Sequence, residues 1–194
     1  MKLTQGSVSQ LLAAFRSSEP TPGGGSAAAL AGATGASLLA MVAGLPKPRA
    51  SQSADLERLK DAGVRATALA VRLESLIDED SDAYAGVVEA FRLPKGSDDE
   101  KAARSSAIQR ALTAATEAPL TVMRHCAEAL TLGAAAIELG NENAATDAQV
   151  GVGLLKAALH GAGANVEINL GSLKDAAYVA RVRDEAGRLL AAAG

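Results

Sequence analysis

Apolar side chains recur every three or four residues along most of the chain, which is the spacing that places them on one face of an α-helix. Between residues 53 and 93 this stripe includes Leu59, Leu73 and Ile77, and Pro94 ends it. The same pattern predicts helices over residues 7–17, 26–44, 97–139 with a kink or break at Pro119, 147–169, and from 172–175 to about 192. We therefore predict an all-α multihelical bundle that forms one domain over residues 1–194.

Two of the predicted helices, 26–44 and 147–169, carry few or no charges and are rich in Gly and Ala. A helix that is uncharged all round is typical of a buried position, and small side chains let neighbouring backbones approach closely. The 26–44 helix also reaches the lower range of a membrane span in length. Because small residues dominate it and no basic flank or aromatic belt marks its ends, we predict two buried central helices and no membrane partner.

The composition disfavours several classes of function. Aromatic residues make up 2% of the chain and the formal net charge is −3, which argues against single-stranded nucleic acid and DNA as partners. The single cysteine, Cys126, cannot form an internal disulfide, and no Cys or His cluster has the spacing of a zinc site. The first residues lack the apolar core of a signal peptide, so we expect a cytoplasmic protein.

An acidic residue, Asp80, falls on the apolar stripe of the 53–93 helix, where a core residue is expected. A carboxylate in such a position costs free energy unless it is paired, hydrogen-bonded or used in chemistry. The alternative is that the acidic run from Asp78 to Asp82 interrupts the helix and that Asp80 caps the break.

A polar turn precedes the 26–44 helix, and two amides lie near the end of the 147–169 helix. The turn could aim backbone N–H groups at a ligand, or it could be a flexible lead-in with a serine N-cap; it consists of Gly23, Gly24, Gly25 and Ser26. Asn165 and Asn169 lie on the inward stripe of their helix, where buried amides need partners. A polar ligand is one way to supply such partners.

Two further groups of polar residues have ordinary structural interpretations as well as functional ones. The junction before the 147–169 helix could be a ligand site, or a helix stop followed by an N-cap at Thr146 or Asp147; it also contains Asn141, Glu142 and Asn143. Basic residues at predicted helix ends are typical of solvated charge, and this group consists of Lys47, Arg49, Lys95 and Lys101.

Taken together and in order, these segments resemble the formiminotetrahydrofolate cyclodeaminase and methenyltetrahydrofolate cyclohydrolase family. The resemblance covers roughly residues 7–175. Its motifs are Pro20–Ala29 with Gly32-Ala33 and Gly35-Ala36, Asp80-Ser81-Asp82-Ala83-Tyr84, Leu93-Pro94-Lys95, Glu100-Lys101 with Arg104, Ile108-Gln109 with Ala111-Leu112, Gly140–Asn143 with Thr146-Asp147, and Asn165-Val166 with Ile168-Asn169.

The resemblance implies a usually dimeric protein that acts on tetrahydrofolate one-carbon derivatives without a metal or redox cofactor. Two reactions are implied. The first is cyclodeamination of 5-formiminotetrahydrofolate to 5,10-methenyltetrahydrofolate with loss of ammonia, which we place first. The alternative is hydrolysis of the methenyl group to 10-formyltetrahydrofolate. Both need a base and an acid in a dry pocket. A third interpretation is an inactive folate-binding or scaffold dimer.

The resemblance also implies a role for each candidate residue. Asp80 and Asp147 are the predicted acid–base groups. Stacking on a pterin is open only to the four aromatic residues, and Tyr84 is the first choice because it lies one turn from Asp80 on the same stripe; the others are Phe15, Phe91 and Tyr178. Lys47 and Arg49 are predicted to meet the glutamate carboxylates, although the basic segment here shrinks to residues 47–49. The remaining predicted substrate contacts are Gly23, Gly24, Gly25, Ser26, Asn141, Asn143, Thr146 (where Ser is usual in the family), Asn165 and Asn169.

Overall fold

The computed structural model describes residues 2–193; Met1 and Gly194, the two ends of the predicted domain, lie outside this range. No strand occurs in the described part, and the predicted all-α bundle is confirmed. Short 3₁₀ turns over Leu3–Gln5 and Glu142–Ala144 accompany six α-helices: α1 (Val8–Phe15), α2 (Gly24–Gly44), α3 (Ser53–Arg92), α4 (Asp98–Leu139), α5 (Ala145–Leu170) and α6 (Ala176–Ala192).

Local capping signals explain where several helices begin. At the start of α4, Ser97 Oγ accepts a hydrogen bond from Glu100 N, and the Glu100 carboxylate accepts one from Ser97 N. This capping box satisfies two N–H groups that would otherwise lack partners. Asp175 caps α6 by accepting from the N–H groups of Ala177 and Tyr178.

Two predicted N-caps are wrong, and the helices do not break at the acidic run or at Pro119. α2 begins at Gly24 with Gly23 as its N-cap, so Ser26 lies within the helix and its hydroxyl is free for a tertiary contact. The N-cap of α5 is Ala144, because the preceding 3₁₀ turn leads directly into the helix. α3 passes through the acidic run at residues 78–82, and α4 passes through Pro119 without a break.

Four helices form the centre of the bundle. α2 packs against α3 and α5, and α4 packs against the same two helices from the other side, with α6 covering α4 and α5. α2 and α5 run antiparallel and approach closely where Gly35 meets Gly151: a Cβ on Gly35 would lie 2.7 Å from the Gly151 carbonyl oxygen. This contact requires glycine and shows why these helices are built from small residues.

One continuous apolar cluster joins α2 to α6 and consists mainly of Leu, Val and Ala side chains. Within the described residues, α2 is the one helix that is long and apolar enough to cross a membrane, judged by length and composition alone. In the bundle it contacts three other helices, and 44% of its apolar window is buried. Its outer face, between α3 and α5, stays partly open, and Met41 there is 43% exposed.

Candidate functional site

A cavity of about 240 Å³ opens at the N-terminal end of α2. Side chains and backbone from the segment before α2 and from α2, α3, α4 and α5 line it. Six residues predicted for the site from separate segments of the sequence therefore come together here: Gly23, Gly24, Asp80, Tyr84, Asn165 and Asn169.

Asp80 is held against the first turn of α2 by a buried serine. Ser26 Oγ lies 2.9 Å from Asp80 Oδ2 and 2.9 Å from the carbonyl oxygen of Ile77, and its side chain is fully buried. Because a hydroxyl carries one proton, Ser26 can donate to only one of these two acceptors at a time. Ser81 Oγ lies 3.1 Å away and can supply Ser26 with a donor. The carboxylate is thus fixed in place without an ion pair to a basic side chain in the described residues.

Burial raises the pKa of the Asp80 carboxyl above its ordinary value, because removal from water disfavours the charged form. Hydrogen bonds from the side chain and backbone of Ser26 act in the opposite direction, but burial has the larger effect. A carboxyl whose pKa is shifted towards neutrality can both accept and return a proton during a reaction.

Close approach favours glycine at two positions of the turn. A Cβ on Gly25 would lie 2.6 Å from Cγ of Asp80, and a Cβ on Gly24 would lie 3.2 Å from Nδ2 of Asn165. The absence of side chains at these two positions lets both polar groups reach the start of α2, where backbone N–H groups have no partner within the helix.

The two asparagines of α5 are anchored by their amide nitrogens. Asn165 Nδ2 donates to the Gly161 carbonyl at 2.9 Å, and Asn169 Nδ2 donates to the Ala115 carbonyl at 2.8 Å. Pro119 has no N–H, so the Ala115 oxygen lacks its normal helical donor, and Asn169 replaces it. This explains why α4 continues through the proline. Among residues 2–193, no group donates to Oδ1 of either asparagine, so both oxygens are available to a ligand at the cavity.

Tyr84 completes the cavity from α3, one turn beyond Asp80. Its side chain is 42% exposed and lines the same cavity. An exposed ring at the edge of a polar cavity is suited to stacking on a flat heterocycle.

The other predicted residues lie at the opposite end of α2. Asn141 Nδ2 donates to the Pro46 carbonyl at 2.6 Å, and its Oδ1 accepts from Asn143 N at 2.9 Å. Arg49 N donates to the Gly140 carbonyl. Since α2 has 21 residues, this junction is about 30 Å from the Asp80 cavity. Within one chain, the predicted site residues at this end of α2 therefore lie outside the Asp80 cavity. They are Lys47, Arg49, Asn141, Asn143, Thr146 and Asp147.

Two features escaped the sequence analysis. Asp78 is buried and accepts hydrogen bonds from Leu3 N at 2.6 Å and Thr4 Oγ1 at 2.7 Å, so it anchors the N-terminal segment. No sequence signal points to that contact, because its partners are more than 70 residues away. A basic cavity also lies beside the start of α4, and the spacing of Lys101 and Arg104 on one helix face could have indicated it.

Cys126, interpreted from the sequence as a core residue, is completely buried. Burial raises its pKa to about 12, which keeps the thiol protonated. This argues against a role as nucleophile.

Known proteins resemble this chain along nearly its whole length. Residues 7–188 match the family model described as formiminotransferase-cyclodeaminase. A methenyltetrahydrofolate cyclohydrolase from Methylorubrum extorquens is 41% identical over 192 residues, which covers 96% of this chain and 90% of that protein. A formimidoyltransferase-cyclodeaminase from Gallus gallus is 34% identical over 170 residues, covering 87% of this chain but only 31% of that protein.

The fold also has a solved counterpart. The crystal structure of formiminotetrahydrofolate cyclodeaminase from Thermotoga maritima matches with a TM-score of 0.86 at 23% sequence identity. The match covers 99% of this chain and 92% of that one, so the two chains share their helical architecture from end to end.

Proposed function

This chain belongs to the formiminotransferase-cyclodeaminase family and is a folate one-carbon enzyme, and from that premise we propose that it is a methenyltetrahydrofolate cyclohydrolase. The observation that carries the proposal is the Methylorubrum extorquens cyclohydrolase, which matches this chain at 41% identity over most of both proteins. This reverses the order of the two reactions expected from the sequence. Cyclodeamination is the second candidate, favoured by the Gallus gallus relative, of which this chain spans 31%.

The Asp80 cavity would bind the pterin end of the substrate. The pterin ring carries N–H groups, and Oδ1 of Asn165 and of Asn169 are acceptors that the fold leaves without donors. Tyr84 offers a ring for stacking at the exposed edge. These contacts would fix the ring so that the one-carbon bridge between N5 and N10 faces the Asp80 carboxylate.

Hydrolysis then needs one group that moves protons. A water molecule attacks the methenyl carbon, and its proton passes to the Asp80 carboxylate as the C–O bond forms. Asp80 returns that proton to N5 as the N5–C bond breaks, and the carbinol proton leaves to solvent as the formyl C=O forms on N10. The net reaction adds water and releases one proton. Acid–base chemistry completes these steps, so the proposal includes no cofactor.

The same carboxyl could serve cyclodeamination. The formimino group enters protonated, as the amidinium, and N10 attacks its carbon. The N10 proton passes to Asp80, and Asp80 returns it to the departing NH2 group, which leaves as ammonia while the methenyl cation forms. The raised pKa of Asp80, caused by burial, suits both proton transfers.

In this proposal the protein is a homodimer, and the predicted site residues at the Gly44 end of α2 contribute to the Asp80 cavity of the other subunit. The outer face of α2 carries no charge, and exposed apolar side chains flank it on α3, including Val64 at 64% and Val71 at 63% exposure. Two copies related by a two-fold axis across α2 would place the Gly44 end of one helix beside the Gly24 end of the other. Asp147 of the partner subunit would then lie near Asp80.

Mixed dimers test this arrangement. Asp80→Asn and Asp147→Asn subunits are each expected to be inactive alone, but a mixed dimer would contain one intact site composed of an unaltered residue from each chain. Random mixing should therefore restore about a quarter of the wild-type activity per subunit. Light scattering would report the dimer in the same samples. A fully active monomer, or no recovery in mixed dimers, contradicts the shared site.

A spectroscopic assay tests the reaction itself. Wild-type protein is offered 5,10-methenyltetrahydrofolate and 5-formiminotetrahydrofolate separately, and the methenyl absorbance is followed. Enzyme-dependent decay with the first substrate supports hydrolysis, whereas a rise with the second supports deamination. Activity on neither, with no increase in melting temperature on adding folates, would leave the inactive scaffold.

A further inference from the structure

A buried hydroxyl lies behind the Asp80 cavity. Ser26 is fully buried, and it does not line the cavity, although the resemblance implies that it contacts the substrate. Its Oγ lies between Asp80 Oδ2 and the carbonyl oxygen of Ile77, at 2.9 Å from each. A hydroxyl in this position reaches a ligand in the cavity only through Asp80.

The oxygens around Ser26 have one favoured arrangement of protons while Asp80 is ionised. A carboxylate is a stronger acceptor than a peptide carbonyl, so Ser26 donates to Asp80 Oδ2 and not to Ile77. Ser81 Oγ lies 3.1 Å from Ser26 Oγ, and since Ser26 has one proton, Ser81 is the donor in that contact. The hydrogen bonds therefore run from Ser81 to Ser26 and from Ser26 to Asp80.

A second arrangement becomes available when Asp80 takes up a proton. The neutral carboxyl is a weaker acceptor, and the Ile77 carbonyl oxygen lies at the same distance from Ser26 Oγ. Rotation of the Ser26 hydroxyl about its C–O bond exchanges one acceptor for the other without movement of a helix. Ser26 keeps its own proton in both arrangements, and Ser81 can donate to it in both.

Charged side chains do not share control of Asp80 with Ser26. The pKa of Asp80 is set by burial and by the hydrogen bonds of Ser26, with no charged side chain among the causes. α2 has no charged residue between Gly24 and Gly44. The titratable groups of the other elements around the cavity are exposed or held by other partners: Glu19 before α2, Asp78, Glu79, Asp82 and Tyr84 on α3, Glu117 on α4 and Glu167 on α5.

We propose that Ser26 is a positioning residue for the reaction at Asp80: its hydroxyl donates to the carboxylate while Asp80 is ionised, and turns to the Ile77 carbonyl when Asp80 takes up the proton of the attacking water. This role rests on the proposed function. The donated bond stabilises the base before the C–O bond forms. When Asp80 gives its proton to N5, the hydroxyl returns to the carboxylate. No proton passes through Ser26.

Carbon-13 NMR of protein labelled at the aspartate carboxyls tests this role without turnover. The Asp80 signal is the one missing from Asp80→Asn, and its chemical shift follows the protonation of the carboxyl as pH is varied. In Ser26→Ala the backbone N–H at position 26 still stabilises the carboxylate, but the hydroxyl donor is lost. The titration midpoint of Asp80 should therefore move to higher pH. Ser81→Ala leaves the donor to Asp80 in place and should move the midpoint less.

The turn of the hydroxyl has a signal of its own. Ile77-Asp78 is the one Ile-Asp pair in the sequence, so carbonyl-¹³C isoleucine combined with ¹⁵N aspartate isolates the Ile77 carbonyl. In the wild type its chemical shift should change with the same midpoint as Asp80, because the carbonyl gains a hydrogen bond when Asp80 is protonated. In Ser26→Ala this change should be largely lost.

The pH dependence of kcat/KM connects the hydrogen bond to the reaction. Asp80 acts as a base when ionised, so kcat/KM falls as pH falls through its pKa. In Ser26→Ala this acidic limb should move to higher pH, with kcat/KM about tenfold below wild type on the limb and much closer to it at high pH, after subtraction of uncatalysed hydrolysis. Thr116→Val removes another fully buried hydroxyl, which donates to the Leu112 carbonyl, and should leave the limb unchanged.

An unchanged Asp80 midpoint in Ser26→Ala overturns this role, and so does an Ile77 carbonyl signal that does not titrate in the wild type. A fall in kcat/KM by the same factor at every pH would also overturn it, because loss of packing alone acts in that way. If the wild type turns over neither folate, the proposed function fails, and the two NMR titrations still decide whether the Ser26 hydroxyl follows the protonation of Asp80.

Discussion

The two ends of α2 carry the same kinds of residue but use them differently. At the Gly24 end, Asn165 and Asn169 bond through their nitrogens only, so neither side-chain oxygen accepts a hydrogen bond from the described residues. At the Gly44 end, Asn141 uses its nitrogen for the Pro46 carbonyl and its oxygen for Asn143 N. An asparagine with both ends satisfied by backbone stabilises a turn, whereas one with a free acceptor is positioned for a ligand.

The same contrast separates two acidic residues of α3, Asp78 and Asp80. Asp78 accepts two hydrogen bonds from the N-terminal segment and holds it in place. Asp80 accepts from Ser26 but also lines the cavity, and burial raises its pKa. These two carboxylates lie two residues apart on one helix. That of Asp78 stabilises the fold, whereas that of Asp80 is available for chemistry.

The largest effect is expected from replacing Asp80. Asp80→Asn keeps the size and hydrogen-bond acceptor of the side chain but removes proton transfer, so kcat should fall about 10³-fold while the helical circular-dichroism spectrum is unchanged. Asp61→Asn, an exposed change on the same helix, is the control and should leave kcat near the wild-type value. Near-normal turnover by Asp80→Asn would show that the cavity is not the reaction site.

The next largest fall in kcat is expected from filling the close contact between Gly25 and Asp80. Gly25→Ala forces Cβ into the Asp80 carboxylate and should lower kcat about 100-fold, because the reacting group is displaced. It should also lower the free energy of unfolding by about 1–3 kcal/mol. Gly187→Ala, whose Cβ meets no atom within 4 Å, should instead stabilise the protein by about 0.5–1 kcal/mol. Equal effects of both changes on kcat would contradict this account.

Replacing one asparagine at each end sharpens the comparison directly. Asn165→Ala removes a ligand contact and should raise KM up to about tenfold with little change in stability. Asn141→Ala removes one bond that joins the α2–α3 connection to the α4–α5 turn and one bond within that turn, and it should cost about 1–2 kcal/mol of unfolding free energy. Urea unfolding and steady-state kinetics on both variants check the two effects. The reverse pattern would mean that the ends have exchanged roles.

The sequence predicted the helices well because each depends on local signals. The α3 stripe, the Ser97 capping box and the Gly23–Gly25 turn are readable over a few residues. Tertiary relations were not readable in the same way. Ser26 appeared to be an N-cap because its contact with Asp80 joins positions 54 residues apart. Pro119 suggested a break because its compensation comes from Asn169 on another helix.

The sequence also does not predict that the candidate site residues are divided between the two ends of α2. Asp80 and Asp147 both occupy polar positions in helices, and spacing along the chain does not say that α2 separates them by about 30 Å. The sequence does not predict the basic cavity, because Lys174 meets α4 only through tertiary contacts, with Gln109 and Ser105. Local patterns in the sequence indicate which residues are candidates for a site. Only the packing of the helices determines which of these residues lie together.

The smallest expected effect is the pH dependence of stability at the Gly24 end. The folded protein holds the pKa of Asp80 above its ordinary value through burial, so between those two pKa values the folded state binds more protons than the unfolded state. The free energy of unfolding therefore falls as pH rises through that window. Asp80→Asn removes this loss, so its melting temperature should exceed that of the wild type at pH 7. The difference in melting temperature should shrink towards pH 4.

Asp61→Asn is the control, because it reports the effect of removing one exposed charge. If the wild type gained stability relative to Asp80→Asn as pH rises, the Ser26 hydrogen bonds and the N-terminus of α2 would outweigh burial, and the Asp80 carboxylate would be a structural anchor like that of Asp78.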